Sequence, residues 1–283
     1  MFRRLVPFLL GLLVTVLAFA WLLFVPARYV ELEVLLLILI LVAAILVYAN
    51  RRTYYRKLKF MDPDNELMRE LEELAPGTYH HSLQIFALAL HAARQFTEID
   101  LLDLKLGCFL HDIGKLKRAE YFTENQFADK DKFDDKHLER SREIILSHSK
   151  DGIEMAKKYR VPKDIWQFIE THHGTSLTGF YYKLKEQEAA LEEENYRYPG
   201  PKPKTLAAAI LMLADSCEAA ARSRQDQDFE QIIGEVLAEK ENDGQLEEVS
   251  DLTVEKLEKI KESFLEVLNY IYHKRVKRAD QNK

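Results

Sequence analysis

The chain has 283 residues, room for one ordinary domain and a smaller extra segment. Its formal net charge of −6 leaves no region basic enough for bulk nucleic-acid binding. The two cysteines, Cys108 and Cys217, are too distant in sequence to form a CxxC pair, which excludes a zinc ribbon or a redox motif and points to a reduced, cytosolic setting for the soluble part.

Two apolar runs open the chain. Leu5–Val25 carries no charge and matches the roughly 20 residues needed to cross a bilayer. Val34–Ala49 is shorter and almost wholly apolar, and the link between the runs, Pro26–Glu33, holds Arg28, Glu31 and Glu33. Arg3 and Arg4 precede the first run; Arg51, Arg52, Arg56, Lys57 and Lys59 follow the second. The positive-inside rule then predicts a tight transmembrane hairpin over residues 1–50 with both ends cytosolic. Trp21, Tyr29 and Tyr48 fall near the expected interfaces. A cleaved signal peptide would account for Arg3, Arg4 and the first run but not for the second.

Residues 51–75 read as a charged connector and lead-in helix, with Asn65–Leu74 helical. From Pro76 the pattern is helical: Leu83, Phe86 and Leu90 recur at helical spacing, as do Leu102, Leu106, Phe109 and Leu110. Ile144, Ile145 and His148 share a face. Pro162 opens a helix over Lys163–His172, with Gly174 expected as its C′ residue. Residues 185–204 read as polar and irregular, ending in the rigid Tyr198-Pro-Gly-Pro-Lys-Pro203 loop. Ala207–Arg222 is a strongly apolar helix that contains Asp215, and Thr253 caps a final amphipathic helix ahead of a basic, frayed tail, 273–283. The expected architecture is all-α: one helical bundle over 76–272, tethered by the hairpin.

Six of the nine histidines fall in an ordered set, His80-His81, His111, His148 and His172-His173, accompanied by Asp112 and Asp215. His111-Asp112 follows the apolar run Leu104–Leu110, so a nitrogen and a carboxylate emerge together from rigid support, and a carboxylate can bridge two cations. Asp215 lies inside an apolar helix, where an unpaired carboxylate is costly and needs a cation or donors. Taken singly, His148 and Asp215 read more naturally as hydrogen-bonded helix residues; their occurrence in order with the two adjacent pairs points to a two-metal hydrolase. His91, His137 and His273 stay outside the set, His137 within a solvated charge run and His273 in the tail.

The order H…HD…H…HH…D resembles the HD-domain metallohydrolases. The words Ala75-Pro-Gly-Thr-Tyr-His-His-Ser82, His111-Asp-Ile-Gly-Lys-Leu-Lys-Arg118, Glu124-Asn-Gln126, Ser147-His148, Lys150-Asp-Gly152, His172-His-Gly-Thr-Ser176, Tyr198-Pro-Gly-Pro-Lys-Pro203, Leu213-Ala-Asp-Ser216 and Asn242-Asp-Gly-Gln245 sharpen this. They resemble the HD domain of the seven-transmembrane HD family, the PgpH-type cyclic di-AMP phosphodiesterases, from residue 75 to about 270. The resemblance implies two divalent cations, manganese or iron. One would be held by His81, His111, Asp112 and Asp215, the other by Asp112, His148, His172 and His173. His81 is favoured over His80 because HD proteins usually place the ligand directly before Ser or a similar residue.

Imidazole and carboxylate ligands without thiolate suit manganese, iron or zinc. Two cations about 3.5–4 Å apart can share a water and lower its pKa. The implied reaction opens cyclic di-AMP to linear pApA by a metal-activated hydroxide, with Asp112 and Lys115 at its centre. Lys115 would steady a phosphate oxygen, and Arg118, Thr175 and Lys202 are expected to make further substrate contacts. The expected partners are a cyclic dinucleotide and the membrane, with a homo-oligomer left open.

Some features depart from the family. Two spans stand where longer members have seven and an extracytoplasmic sensory domain, and Ala119-Glu120 replaces the common Pro-Tyr. A cyclic di-GMP phosphodiesterase of the HD-GYP type is the nearest alternative, but Gly174-Thr-Ser-Leu-Thr-Gly-Phe180 follows His172-His173 where that type has Gly-Tyr-Pro. A non-catalytic cyclic-dinucleotide receptor is the alternative from another class.

Overall fold

In the computed structural model, residues 16–17, 30–62, 64–126, 138–185 and 191–281 are described. The first apolar run, Leu5–Val25, and His137 therefore lie largely or wholly outside the described residues. The chain divides into two units, 1–56 and 57–283.

In the first unit, the second apolar run belongs to α1, Val30–Lys59, a helix that continues through the basic connector without a break at residue 50. Its stretch from Val34 to Lys59 is long and apolar enough to cross a membrane. Leu35, Leu39, Val42 and Leu46 are all exposed. A helix that is apolar all round and buried against nothing is suited to lipid.

The second unit is built from α2 (Glu66–Leu74), α3 (Pro76–Ala93), α4 (Leu101–Leu110), α5 (Leu138–Lys158), α6 (Lys163–Thr171), α7 (Gly179–Lys185), α8 (Leu206–Ser223), α9 (Phe229–Asn242) and α10 (Val254–Gln281). No β-strand occurs among the described residues, in keeping with the all-α expectation. The helices start where short polar side chains satisfy free N–H groups. Asn65 accepts from Leu67 and Met68, Asp100 from Leu102 and Asp103, Thr205 from Ala208 and Asp228 from Glu230. Pro76 occupies the first turn of α3, where its missing N–H costs nothing.

The apolar helix α8 is buried on nearly every side, and α3, α4, α6 and α9 pack around it. The core runs from Leu67 and Leu88 through Leu104, Ile165 and Leu211 to Phe264, all fully or almost fully buried. On α3 the buried stripe is His81, Ser82, Ile85, Leu88, Ala89 and Ala92, whereas Leu83 is exposed and Phe86 and Leu90 are only partly covered. The stripe through Leu83 thus points away from the deepest core, and Phe86 packs on Phe109 at 5.6 Å between ring centroids.

Three other expectations are corrected. Within the stretch 185–204, expected to be irregular, Glu193–Tyr196 forms a short 3-10 turn. The helix α9, whose outer face is strongly charged, was not among the expected elements. The basic tail continues α10 as helix to Gln281.

Two ties hold the ligand-bearing helices. Lys57, the first residue of the second unit and almost buried, pairs with Asp103 at 2.6 Å and Asp164 at 3.0 Å. These carboxylates stand near the starts of α4 and α6, and both helices end at histidines of the ordered set. At the other end, the 3-10 segment Ile113–Tyr121 lies directly on α5. A Cβ at Gly114 would stand 1.9 Å from the His148 carbonyl oxygen and 2.5 Å from the Gly152 nitrogen, so only hydrogen fits. Gly114→Ala should therefore destabilise the chain by about 1–3 kcal/mol through overpacking. Denaturant unfolding of the full chain checks this, and an unchanged midpoint would contradict the close approach.

Candidate metal centre

Three imidazoles are oriented by the same local device. His111 is the C-cap of α4, and its Nδ1 lies 2.9 Å from the Cys108 carbonyl oxygen. His148, inside α5, makes the equivalent contact to Ile145 at 2.6 Å, and His172, the C-cap of α6, to Ile169 at 3.0 Å. A carbonyl oxygen only accepts, so each Nδ1 must carry the proton and each Nε2 presents a lone pair.

Those lone pairs converge on Asp112. Its Oδ1 lies 3.3 Å from His148 Nε2 and 3.5 Å from His172 Nε2; its Oδ2 lies 3.1 Å from His111 Nε2. The Nε2 atoms of His148 and His172 are 3.1 Å apart. His111 Nε2 and Asp112 Oδ1 are buried without a hydrogen-bond partner among the described residues. Acceptors facing acceptors inside a protein are unfavourable unless a cation stands among them. Burial would raise the Asp112 pKa, but the Lys115 ammonium and His111 outweigh it and hold the carboxyl well below its usual range. Burial lowers His172 to about 4 and, with His172 beside it, takes His173 well below the ordinary histidine value. Both rings are therefore neutral at pH 7, as ligands must be.

A second cluster adjoins the first. His81 of α3 places Nε2 at 2.9 Å from Asp215 Oδ1 and Nδ1 at 2.5 Å from Glu218 Oε2, both carboxylates lying on successive turns of α8. Burial would lower the His81 pKa, but Asp215 and Glu218 outweigh it and raise it to about 10. Burial likewise pushes Asp215 up, and the His81 contact outweighs it to leave the carboxyl below its usual value. The nearest ligand atoms of His81, His111 and Asp112 lie within 4.8 Å of one another, as do those of Asp112, His148, His172 and His173. Asp112 belongs to both groups. Asp215 stands between them, 3.6 Å from His173 Nδ1. His80 is exposed, packs edge-on to Tyr79 and joins neither group.

Both clusters open into a cavity of about 500 Å³ lined by His81, Lys115, His148, His173, Tyr198 and Asp215 among others. Tyr198, from the Tyr-Pro-Gly-Pro loop, stacks on His173 with centroids 4.1 Å apart. Lys115 is buried between Asp112 Oδ2 at 2.8 Å and Glu124 Oε1 at 2.6 Å. The other expected substrate contacts are elsewhere. Arg118 is held by Asp151 at 3.0 Å and Ser147 at 3.2 Å, and Lys202 faces Glu247 at 3.4 Å; neither lines the cavity. Thr175, also outside the lining, donates its backbone N–H to Gln245 and takes a hydrogen bond from the Gln245 amide on its hydroxyl. Gln245 in turn binds Asp243, and Arg197 joins Asp243 to the Thr175 carbonyl. These residues brace the turn that follows His173, which has the positive φ of 52° expected at Gly174. Glu218 and Tyr198 went unassigned as site residues in the sequence; the available signal for Glu218 was a carboxylate one turn after Asp215 in an apolar helix.

Residues 78–220 match the family model for the HD domain. The chain is 38% identical over 232 residues to the cyclic-di-AMP phosphodiesterase PgpH of Bacillus subtilis and 39% identical over 232 residues to that of Listeria monocytogenes. Each alignment takes in 81% of this chain and 32% of the relative, so the chain spans about a third of the length of these relatives. The crystal structure of the L. monocytogenes PgpH HD domain in complex with cyclic-di-AMP superposes with a TM-score of 0.69 at 40% identity, covering 75% of this chain and all of that one. Every imidazole and carboxylate of the two clusters falls inside the matched span, on a fold shared with a solved HD domain, and the chain belongs to the HD-domain family, close to the PgpH proteins.

Proposed function

We propose that this chain is a membrane-anchored, metal-dependent phosphodiesterase that hydrolyses cyclic di-AMP to linear pApA. The observation that carries the reading is the convergence of the His111, His148 and His172 lone pairs on the buried Asp112 carboxylate, with no donor among the described residues for His111 Nε2 or Asp112 Oδ1. That donor set fits two divalent cations sharing Asp112. His81, His111 and Asp215 would complete one ligand set, and His148, His172 and His173 the other. Nitrogen and oxygen ligands without thiolate suit manganese or iron. When bound, the pair supplies Lewis-acid charge and acidifies a water for attack on phosphorus.

The protein's own groups prepare that chemistry. The Nδ1 contacts to backbone carbonyls fix three imidazoles in the tautomer and direction a ligand needs. Glu218 does the same for His81 Nδ1, leaving Nε2 directed at the Asp215 side of the site. Lys115 offsets the charge of Asp112 and lines the cavity, where its ammonium can steady a phosphate oxygen as a point charge. The adenine preference draws on the relatives named above. The apolar part of α1, Val34–Ala49, followed by Arg51, Arg52 and Arg56, supports anchoring with the catalytic unit on the cytosolic side.

The purified full chain with manganese should convert cyclic di-AMP to pApA, and Asp112→Ala should abolish conversion. Turnover of neither cyclic di-AMP nor cyclic di-GMP sinks the phosphodiesterase reading, and full activity in Asp112→Ala sinks the shared-carboxylate mechanism.

Glu218→Gln keeps a hydrogen-bond acceptor for His81 Nδ1 but removes a charge that raises the His81 pKa, so the rise of manganese affinity with pH should move to lower pH. Metal titration of the variant across pH that matches wild type would remove Glu218 from the site.

The pH dependence follows from His81. With its pKa raised to about 10, the ring is protonated at neutral pH, and Nε2 must lose its proton before it can bind a cation. Affinity should therefore rise with pH up to that value, by about tenfold per unit in the one-proton limit. Calorimetry across pH 6 to 9 in buffers of different ionisation enthalpy reads the released proton, and a flat profile would count against His81 as a ligand.

A further inference from the structure

Away from the clusters, the cavity contains a second feature built for an anion. Lys240 on α9 is 7% exposed, and its Nζ donates to the Ser176 hydroxyl at 3.0 Å. Among the described residues its nearest carboxylate oxygen, on the half-exposed Glu239, is 3.7 Å away. Lys240, Ser176 and Glu239 all line the cavity.

Two other cations of the lining, Lys115 and Arg224, are better compensated. Lys115 has two carboxylates within 2.8 Å and Arg224 has Glu235 at 2.6 Å; Arg222 Nε lies 3.4 Å from the buried Glu218, which His81 shares, and makes no hydrogen bond among the described residues. Lys240 is thus a buried ammonium whose close partner is a neutral hydroxyl. A buried charge whose nearest counter-charge among the described residues is a half-exposed carboxylate 3.7 Å away is incompletely offset, and a ligand anion would complete it. Its position is also fixed relative to the metal centre. The Ser176 backbone N–H donates to the His173 carbonyl at 3.1 Å, so the hydroxyl beside Lys240 sits one tight turn from a proposed ligand.

A cyclic dinucleotide carries two phosphodiesters in one ring. One is cleaved; the other enters the cavity still charged and must exchange water for a protein donor. We propose that Lys240, presented with Ser176, binds this second, uncleaved phosphate and so selects a two-phosphate ring over a simple phosphodiester. This rests on the phosphodiesterase reading and deepens it. The same contact would hold the intact internal phosphodiester of the linear product.

The test compares cyclic di-AMP with bis(4-nitrophenyl) phosphate, a diester with one phosphate, on the full chain with manganese. Lys240→Met should lower kcat/KM on cyclic di-AMP about 10–100-fold more than on the small diester, mainly through KM, as expected for loss of a charged hydrogen bond. Lys240→Arg should recover most of that difference. Lys240→Gln, which can still bond Ser176 but carries no charge, should not recover it. Equal losses on both substrates would make Lys240 a structural tether and overturn the assignment. Recovery by Lys240→Gln would overturn it too, because an amide can serve a nucleobase but not offset a phosphate charge. If Lys240→Met does not fold, the Arg and Gln variants carry the comparison alone. Wild-type chain that cleaves only the small diester would overturn the substrate reading itself, a result visible before any variant is made.

Discussion

A carboxylate buried among lone pairs is the constraint around which this domain is arranged. Asp112 is almost inaccessible, and the nitrogens nearest to it, from His111, His148 and His172, turn their unprotonated sides toward it. In a low-dielectric interior that arrangement is costly, and Lys115 offsets only part of it. The arrangement fits divalent cations, whose charge would offset the rest. The bundle therefore holds its ligands in a geometry that favours positive charge and disfavours collapse.

Preventing that collapse requires the supporting elements to be rigid. The histidines come from helix ends and from helix interiors, and those helices are tied to one another at specific points. Lys57 joins the beginnings of α4 and α6, the Phe168 ring of α6 lies against Gly107 of α4, and backbone-to-backbone contact at Gly114 seats the segment after Asp112 on α5. The turn after His173 is braced from behind by Gln245, Asp243 and Arg197. These are packing and hydrogen-bond devices that leave the cavity face free for ligands.

Much of this was legible in the sequence, and the gaps have physical reasons. His111-Asp112 announces itself because it ends an apolar run that must be buried, and His172-His173 because it ends a helix ahead of Gly174. The choice between His80 and His81 came from the family pattern, and helix phase agrees: His81 shares a face with Ile85 and Leu88, while His80 points outward. Arg118, Thr175 and Lys202 looked like substrate contacts because their types suit phosphate. Their partners Asp151, Gln245 and Glu247 are 33 to 70 residues away, and no local pattern shows which side of a turn such a side chain takes. Glu218 was missed for a similar reason, since its partner His81 lies 137 residues earlier. The helix α9 escaped because much of its length is charged and only the face with Ile232, Ile233 and Val236 is buried.

The imidazoles of His111 and His172 also finish their helices. Each Nδ1 hydrogen serves a carbonyl in the last turn, of Cys108 or Ile169, that the ended helix no longer supplies with an N–H. Removing the ring thus does two separable things: it deletes a ligand and it uncovers a buried carbonyl. An alanine at either position confounds lost chemistry with a loosened helix end. Asparagine, whose amide can still donate to that carbonyl while offering no imidazole lone pair, separates the two.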